Sequence, residues 1–319
     1  MNLNRIFAAV ALILPLTALG QTYPSKPVRL IVPFPPAGAT DILSRELARQ
    51  LSERLKQQVI VDNRPGAGGS LGSDLVAKSA PDGYTIQMAT SSTHSIGPSL
   101  NSKIPYNAQT DFTPVAHVAN SVNVLVIAPN VKANNVAELI ALLRANPAKF
   151  NYGSSGNGTI VHLTGELFKS MTGTYVLHIP YRGTALVIPD MISGQIHLLF
   201  DNIASAMPHI KDSKLRALAV TSNTRSPLLP GLPTVADTVP GFESVTWFGV
   251  FGPKGMAPEI TQRMNSEINA VLKSPEFLER LRVLGYDAAG GTPADFARVV
   301  AADTAKWAKL IRERNITSE

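Results

Sequence analysis

From Val28 onward, short runs of apolar and β-branched residues alternate with longer segments whose apolar positions recur at helical spacing. This is the pattern of α/β construction on mostly parallel sheets. Residues 28–32 read as a strand. Residues 42–55 read as a helix, because Leu43, Leu47, Leu51 and Leu55 fall on one stripe at i, i+4 spacing. A strand at 59–61 follows. The glycine-rich turn 65–69 then leads into a helix ending near Lys78, and residues 84–89 form a third strand. A second series begins at Phe150, with strands at 151–152, 175–179, 196–200 and 215–220 and helices at 160–170 and 184–192. The plan repeats without a sequence repeat.

An apolar run at 122–128 lies between these series, and another at 245–251 follows the second and ends at Gly252-Pro253. Read as crossings between two lobes, they assign residues 21–122 plus 252–319 to lobe 1 and 123–251 to lobe 2. The C-terminal helices then return to cover lobe 1. Two crossings suit a hinge, because rotation absorbed by a few residues closes one lobe on the other. A single continuous sheet without a hinge is the rival reading.

Residues 1–20 have the layout of a cleavable secretory signal: Arg5, an apolar run at 6–14, Pro15, and the small residues Ala18 and Gly20 before Gln21. The run is too short to span a bilayer, and Pro15 argues against a buried N-terminal helix. Its removal from the 319 residues leaves 299, enough for two lobes with a core each. The chain has no cysteine, which excludes disulfides, thiolate metal sites and cysteine nucleophiles. An exported chain without cysteine suits a bacterial periplasm. The formal net charge is +6, with Lys and Arg scattered and aromatics only 6% of residues, so nucleic acid is not an expected partner. A modest positive field helps collect anions.

The most informative segment is Pro33-Phe34-Pro35-Pro36-Ala37-Gly38-Ala39-Thr40-Asp41, between the first strand and the first long helix. The prolines fix the approach of the chain, Gly38 permits unusual backbone angles, and Thr40 or Asp41 can cap the helix. A turn of this kind offers unpaired backbone N–H groups and the positive end of a helix dipole, which suit an anion. Gly153-Ser154-Ser155-Gly156-Asn157-Gly158-Thr159 again follows a strand and opens a helix, with small hydroxyl and amide side chains. Each loop alone could be an ordinary turn. One in each lobe, at the carboxyl ends of strands, falls where open α/β sheets bind ligands. Ser91, Ser92 and His94 after the third strand, Tyr181 and Arg182 after the strand ending at Pro180, and Asp201 are weaker candidates.

Enzyme signatures fail. Residues 153–157 lack the closing glycine of a nucleophile elbow, and residues 66–71 place Leu71 where a dinucleotide fingerprint needs glycine. His162 and Glu166 lie four apart on a helix, but spacing suggests no third metal ligand. No metal, cofactor or catalytic residue is expected.

Six segments occur in a familiar order: Val-Pro-Phe-Pro-Pro-Ala-Gly-Ala-Thr-Asp at 32–41, Asn-Arg-Pro-Gly-Ala-Gly-Gly at 63–69, Pro-Asp-Gly-Tyr-Thr at 81–85, Asp-Phe-Thr-Pro-Val at 111–115, Tyr-Gly-Ser-Ser-Gly at 152–156 and Pro-Tyr-Arg-Gly at 180–183. Over nearly its whole mature length the chain resembles the solute receptors of tripartite tricarboxylate transporters, the Bug family. The resemblance implies a periplasmic two-lobed binding protein of the Venus flytrap kind, type II-like. Such a receptor is a monomer that takes a small organic carboxylate, aromatic acids included, and passes it to a permease of one large and one small subunit. It implies carboxylate-holding loops at 34–41 and 153–159. The family's first loop usually reads Pro-Gly-Gly, and Ala37 replaces the first of those glycines. Two other readings stay open: a liganded receptor that touches a sensor instead of a permease, and an enzyme acting on an organic acid through His94, Asp41 or Asp201.

Overall fold

The computed structural model describes residues 23–101 and 103–317. The expected signal at 1–20 lies outside them. In chain order the elements of the first half are β1 (Val28–Val32), α1 (Ala39–Leu55), β2 (Val59–Asn63), α2 (Ser70–Ala77), β3 (Thr85–Thr90), α3 (Gly97–Leu100) and β4 (Phe112–Ile127). Then come α4 (Val136–Ala145), β5 (Asn151–Ser154), α5 (Ile160–Thr172), β6 (Leu177–Pro180), α6 (Ile188–Ile192), β7 (Leu198–Asn202), α7 (Ile203–Lys211) and β8 (Arg216–Val220). The chain continues through β9 (Val245–Pro253), α8 (Pro258–Leu272), α9 (Pro275–Leu284), β10 (Tyr286–Ala288) and α10 (Pro293–Glu313).

The strands join in the order β2-β1-β3-β9-β4-β7-β5-β6, with β8 and β10 also paired to β4. Helical crossovers make β1 parallel to β2 and β3, and β5 parallel to β6 and β7. The expectation of mostly parallel sheets fails in the middle. There β4 runs antiparallel to β7, β8, β9 and β10.

The apolar run at 122–128 is the second half of a 16-residue strand. The first half of β4 pairs with β9 and β10, and the second half with β7 and β8. The other expected crossing differs from the sequence reading. From Val245 onward β9 pairs with β4, and from Phe248 also with β3, so the whole strand belongs to the first sheet and the return precedes Val245 rather than following Phe251. An apolar run shows that both faces of a strand are covered, but not which strands flank it.

Alternation along β4 distributes its side chains between two cores. Leu125 and Ile127 pack with Leu139 and Leu143 of α4, Phe168 of α5, Phe200 and Phe242. Val124 and Val126 face Ile160, Leu163, Val187, Met191, Trp307 and Ile311. The first sheet has its own pair of cores. The leucine stripe of α1 packs with β1, α8 and α9 on one face, and Ile31, Val76 and Phe251 pack with Phe296 and Val300 of α10 on the other. Thus α10 does more than cover the first sheet: its N-terminal half seats Phe296 there, and its C-terminal half places Trp307 and Ile311 in the second.

Phe296 is fully buried, with its ring centroid 4.9 Å from Phe251 and 5.4 Å from Trp247. It lies over Gly249, where an added Cβ would stand 2.1 Å from its Cζ. Phe296→Ala should therefore cost about 3–5 kcal/mol of stability, measured as a lower urea midpoint with the slope unchanged.

Candidate functional site

A cavity with about 440 Å3 of empty space, partly open to solvent, lies where the two series of elements face each other. One wall is the β1–α1 loop, with Phe34, Pro35, Gly38, Ala39 and Thr40, joined by Thr90, Ser92, Thr246 and Phe248 from the ends of β3 and β9. The facing wall has Ser155, Ile160 and Val161 at the start of α5, Gly183, Thr184 and Ala185 after β6, and Asn202 at the end of β7. The two sides touch around it. The amide of Ile160 donates to Ser92 Oγ at 3.0 Å, and a Cβ on Gly183 would stand 2.5 Å from Pro35.

Two helix starts supply the polarity. Gly38 provides no side-chain cap for α1, so the first-turn amides at Ala39 and Thr40 keep their hydrogens free beside the cavity. At α5, Thr159 Oγ1 accepts from the His162 amide and donates to the Gly156 carbonyl, while Ser155 and Val161 line the cavity. Asn202 and Thr246 on the floor are locked to Asn123 of β4. Asn202 Nδ2 donates to Asn123 Oδ1 at 2.6 Å and to Thr246 Oγ1 at 3.1 Å, and Thr246 Oγ1 donates to Asn123 Oδ1 at 3.2 Å. Among the described residues no Lys, Arg, Asp or Glu lines this cavity.

Of the residues singled out from sequence, Phe34, Pro35, Gly38, Ala39, Thr40, Ser92 and Ser155 line the cavity. The others serve the surrounding framework. Asp41 takes hydrogen bonds from the Ala37 amide (3.0 Å), Arg45 (2.9 Å) and Asn63 (2.9 Å). Burial alone would raise its pKa, but those bonds and the Arg45 charge hold it below the usual value, so Asp41 is an anchored carboxylate. Ser91 Oγ accepts from the Trp247 amide at 3.0 Å, tying β3 to β9. His94 is stacked on Phe251 at 4.4 Å and bonded through Nδ1 to Thr93; burial pushes its pKa down to about 3, which keeps it neutral.

Ser154 Oγ sits 2.6 Å from His178 Nε2, and Tyr181 donates to Asp190 at 2.5 Å. Asn157 and Gly158 line a neighbouring, more polar recess with Gly68, Ser70 and Asn101. Asp201 is buried, accepts from the Asn202 amide at 2.9 Å and from Ser205 at 2.6 Å, and is pushed up to about 6 by burial. His162 and Glu166 do not converge on a shared site. His162 Nδ1 accepts from Gly158, while Glu166 accepts from Tyr152 and Lys169.

Sequence reasoning missed Thr90, Gly183, Thr184, Asn202, Thr246 and Phe248. The first four follow or end a strand on the same side as the two expected loops, a position that could have marked them. Thr246 and Phe248 lie inside β9, and nothing in the pattern distinguished them from core.

Ala37, the position at which the resemblance leads one to expect glycine, has φ of 65°, in the left-handed region that costs a residue with a Cβ about 1–2 kcal/mol. Restoring glycine relieves this at the expense of unfolded-chain entropy. Ala37→Gly should raise stability by up to about 1 kcal/mol, read as a higher melting temperature.

Residues 43–316 match the family described as tripartite tricarboxylate transporter family receptor. Among solved structures, Rpa4515 of R. palustris with adipate superposes with a TM-score of 0.91 at 38% identity, covering 92% of this chain and 99% of that one. The periplasmic binding protein BugD superposes at 0.89 with 32% identity (92% and 99% covered). MatC (Rpa3494) from Rhodopseudomonas palustris with bound malate superposes at 0.87 with 26% identity (91% and 100% covered). The fold is thus the mixed α/β fold of periplasmic solute-binding proteins. The chain belongs to the tripartite tricarboxylate transporter receptor family, a family of periplasmic solute receptors and not of enzymes.

Proposed function

We propose that this protein is an exported receptor that holds a small organic carboxylate between the β1–α1 loop and the start of α5, and delivers it to a two-subunit membrane permease. The observation that carries this reading is the convergence of two helix N-termini on a cavity that, among the described residues, is lined by no charged side chain. The adipate and malate in two structural neighbours support the ligand class. Three or four charge-assisted bonds from amides and hydroxyls, at about 1.5–3 kcal/mol each before ordering costs, reach the roughly 8 kcal/mol of micromolar affinity without an arginine.

In this reading the lobes follow the sheets. Lobe 1 runs to about Val122 and resumes at Val245, and lobe 2 lies between, with β4 and the segment before β9 as the hinge. The protein acts as a monomer, reaches the periplasm through its N-terminal signal, and has no catalytic role. His94, Asp41 and Asp201, the acid–base groups an enzyme would need, are not among the cavity-lining residues.

Isothermal calorimetry against adipate, malate, and matched amino and aromatic acids tests this. At least one acid should bind in the micromolar range and raise the melting temperature. Thr40→Val and Ser155→Ala should each weaken that binding by about 1–2 kcal/mol. A panel in which no acid binds would reject the carboxylate reading, and unchanged affinity in both variants would remove these loops from the site.

A further inference from the structure

Beside the α5 loop, outside the lining of the cavity, two histidines lie face to face. The rings of His162 on α5 and His178 on β6 are stacked at 4.1 Å with planes 20° apart, and the Tyr152 ring of β5 stacks on the other face of His178 at 4.8 Å. Each imidazole reaches the loop. The Gly158 amide donates to His162 Nδ1 at 3.2 Å, and Ser154 Oγ lies 2.6 Å from His178 Nε2 while accepting from the Gly156 amide at 3.0 Å. Between these two anchors Gly156 and Gly158 take φ of 123° and 74°, backbone that needs outside restraint to hold one conformation.

We propose that His162 and His178 are positioning residues for ligand binding: a stacked, uncharged imidazole pair that fixes residues 154–159 and so sets the start of α5, where Ser155 and Val161 line the cavity. This rests on the receptor reading above. The Gly158 bond requires His162 Nδ1 to be a bare acceptor, so its proton sits on Nε2. Two imidazolium rings at 4.1 Å would repel, so the pair cannot charge together. The charged and titratable groups facing it are Glu166 and Lys169 from α5, Tyr152 from β5 and Tyr175 from the segment before β6. Glu166 is taken up by Lys169 at 2.7 and 2.9 Å and by the Tyr152 hydroxyl at 2.6 Å, leaving no open carboxylate to draw a proton onto the rings. Burial pushes His162 down to about 4, helped by the Lys169 charge. Burial, then His162 and Lys169 outweighing Glu166, push His178 down to about 3.

Two measurements on the full chain test the pair. The first is the affinity for adipate and malate of wild type, His162→Leu and His162→Asn, in which the asparagine oxygen can stand in for Nδ1. The leucine variant should lose about tenfold while the asparagine variant stays within about threefold of wild type. Leucine binding like wild type, or asparagine as weak as leucine, overturns the proposal. The second is the 15N imidazole spectrum of wild type at about pH 5.5, where an ordinary histidine is mostly charged. Both rings should be neutral, with His162 protonated on Nε2. A charged pair, or His162 protonated on Nδ1, overturns the proposal even in a protein that binds neither acid, an outcome that would count against the ligand assignment alone.

Discussion

One strand, β4, is hydrogen-bonded into both halves of the sheet, and everything that reaches the cavity is placed relative to it. Its first half sets β9, which brings Thr246 and Phe248 to the floor, and its second half sets β7, which brings Asn202. Asn123 stands where the pairing changes over, and its side-chain bonds to Asn202 and Thr246 join one strand from each half at the base of the cavity. The helices that open on the cavity are then fixed by short connections from parallel strands on either side. Because α10 packs Phe296 against one half and Trp307 against the other, movement at this junction is resisted by more than the strands alone.

The site's chemistry comes from backbone and small side chains. An arginine clamp would impose a fixed fork geometry and a full positive charge. Two uncapped or lightly capped helix starts offer several weaker donors in a narrow, mostly apolar space, and the low local dielectric makes each count for more. The carboxylates near these starts are already committed: Asp41 to Arg45 and Asn63, and Asp201 to Ser205 and the Asn202 amide. They stiffen the frame and leave the cavity wall neutral.

Much of this was legible in the sequence because prolines and glycines at strand-to-helix turns announce backbone geometry directly. The β1–α1 loop does connect a strand to the first long helix, and Thr40 and Ser155 both line the cavity. What stayed hidden depends on partners distant in sequence. The apolar run of β9 showed a buried strand but not its neighbours, so the return between halves was drawn late. His94 was a weak candidate in a loop, and Phe112 and Phe251, 18 and 157 positions away, pack against its ring. His178 gave no signal, because only folding brings it against Ser154.

A cavity that balances an anion with dipoles has an electrophoretic consequence. On the proposed reading the protein adds no countercharge and takes up no compensating proton, so each loaded molecule differs from an empty one by the whole charge of its cargo. For the full chain of formal charge +6, which on that reading falls to +5 once Arg5 leaves with the signal, a bound dicarboxylate removes two-fifths of the remaining excess. Empty and loaded receptor would therefore present different electrostatic faces to any membrane surface or partner that comes within a Debye length, about 8 Å at physiological ionic strength.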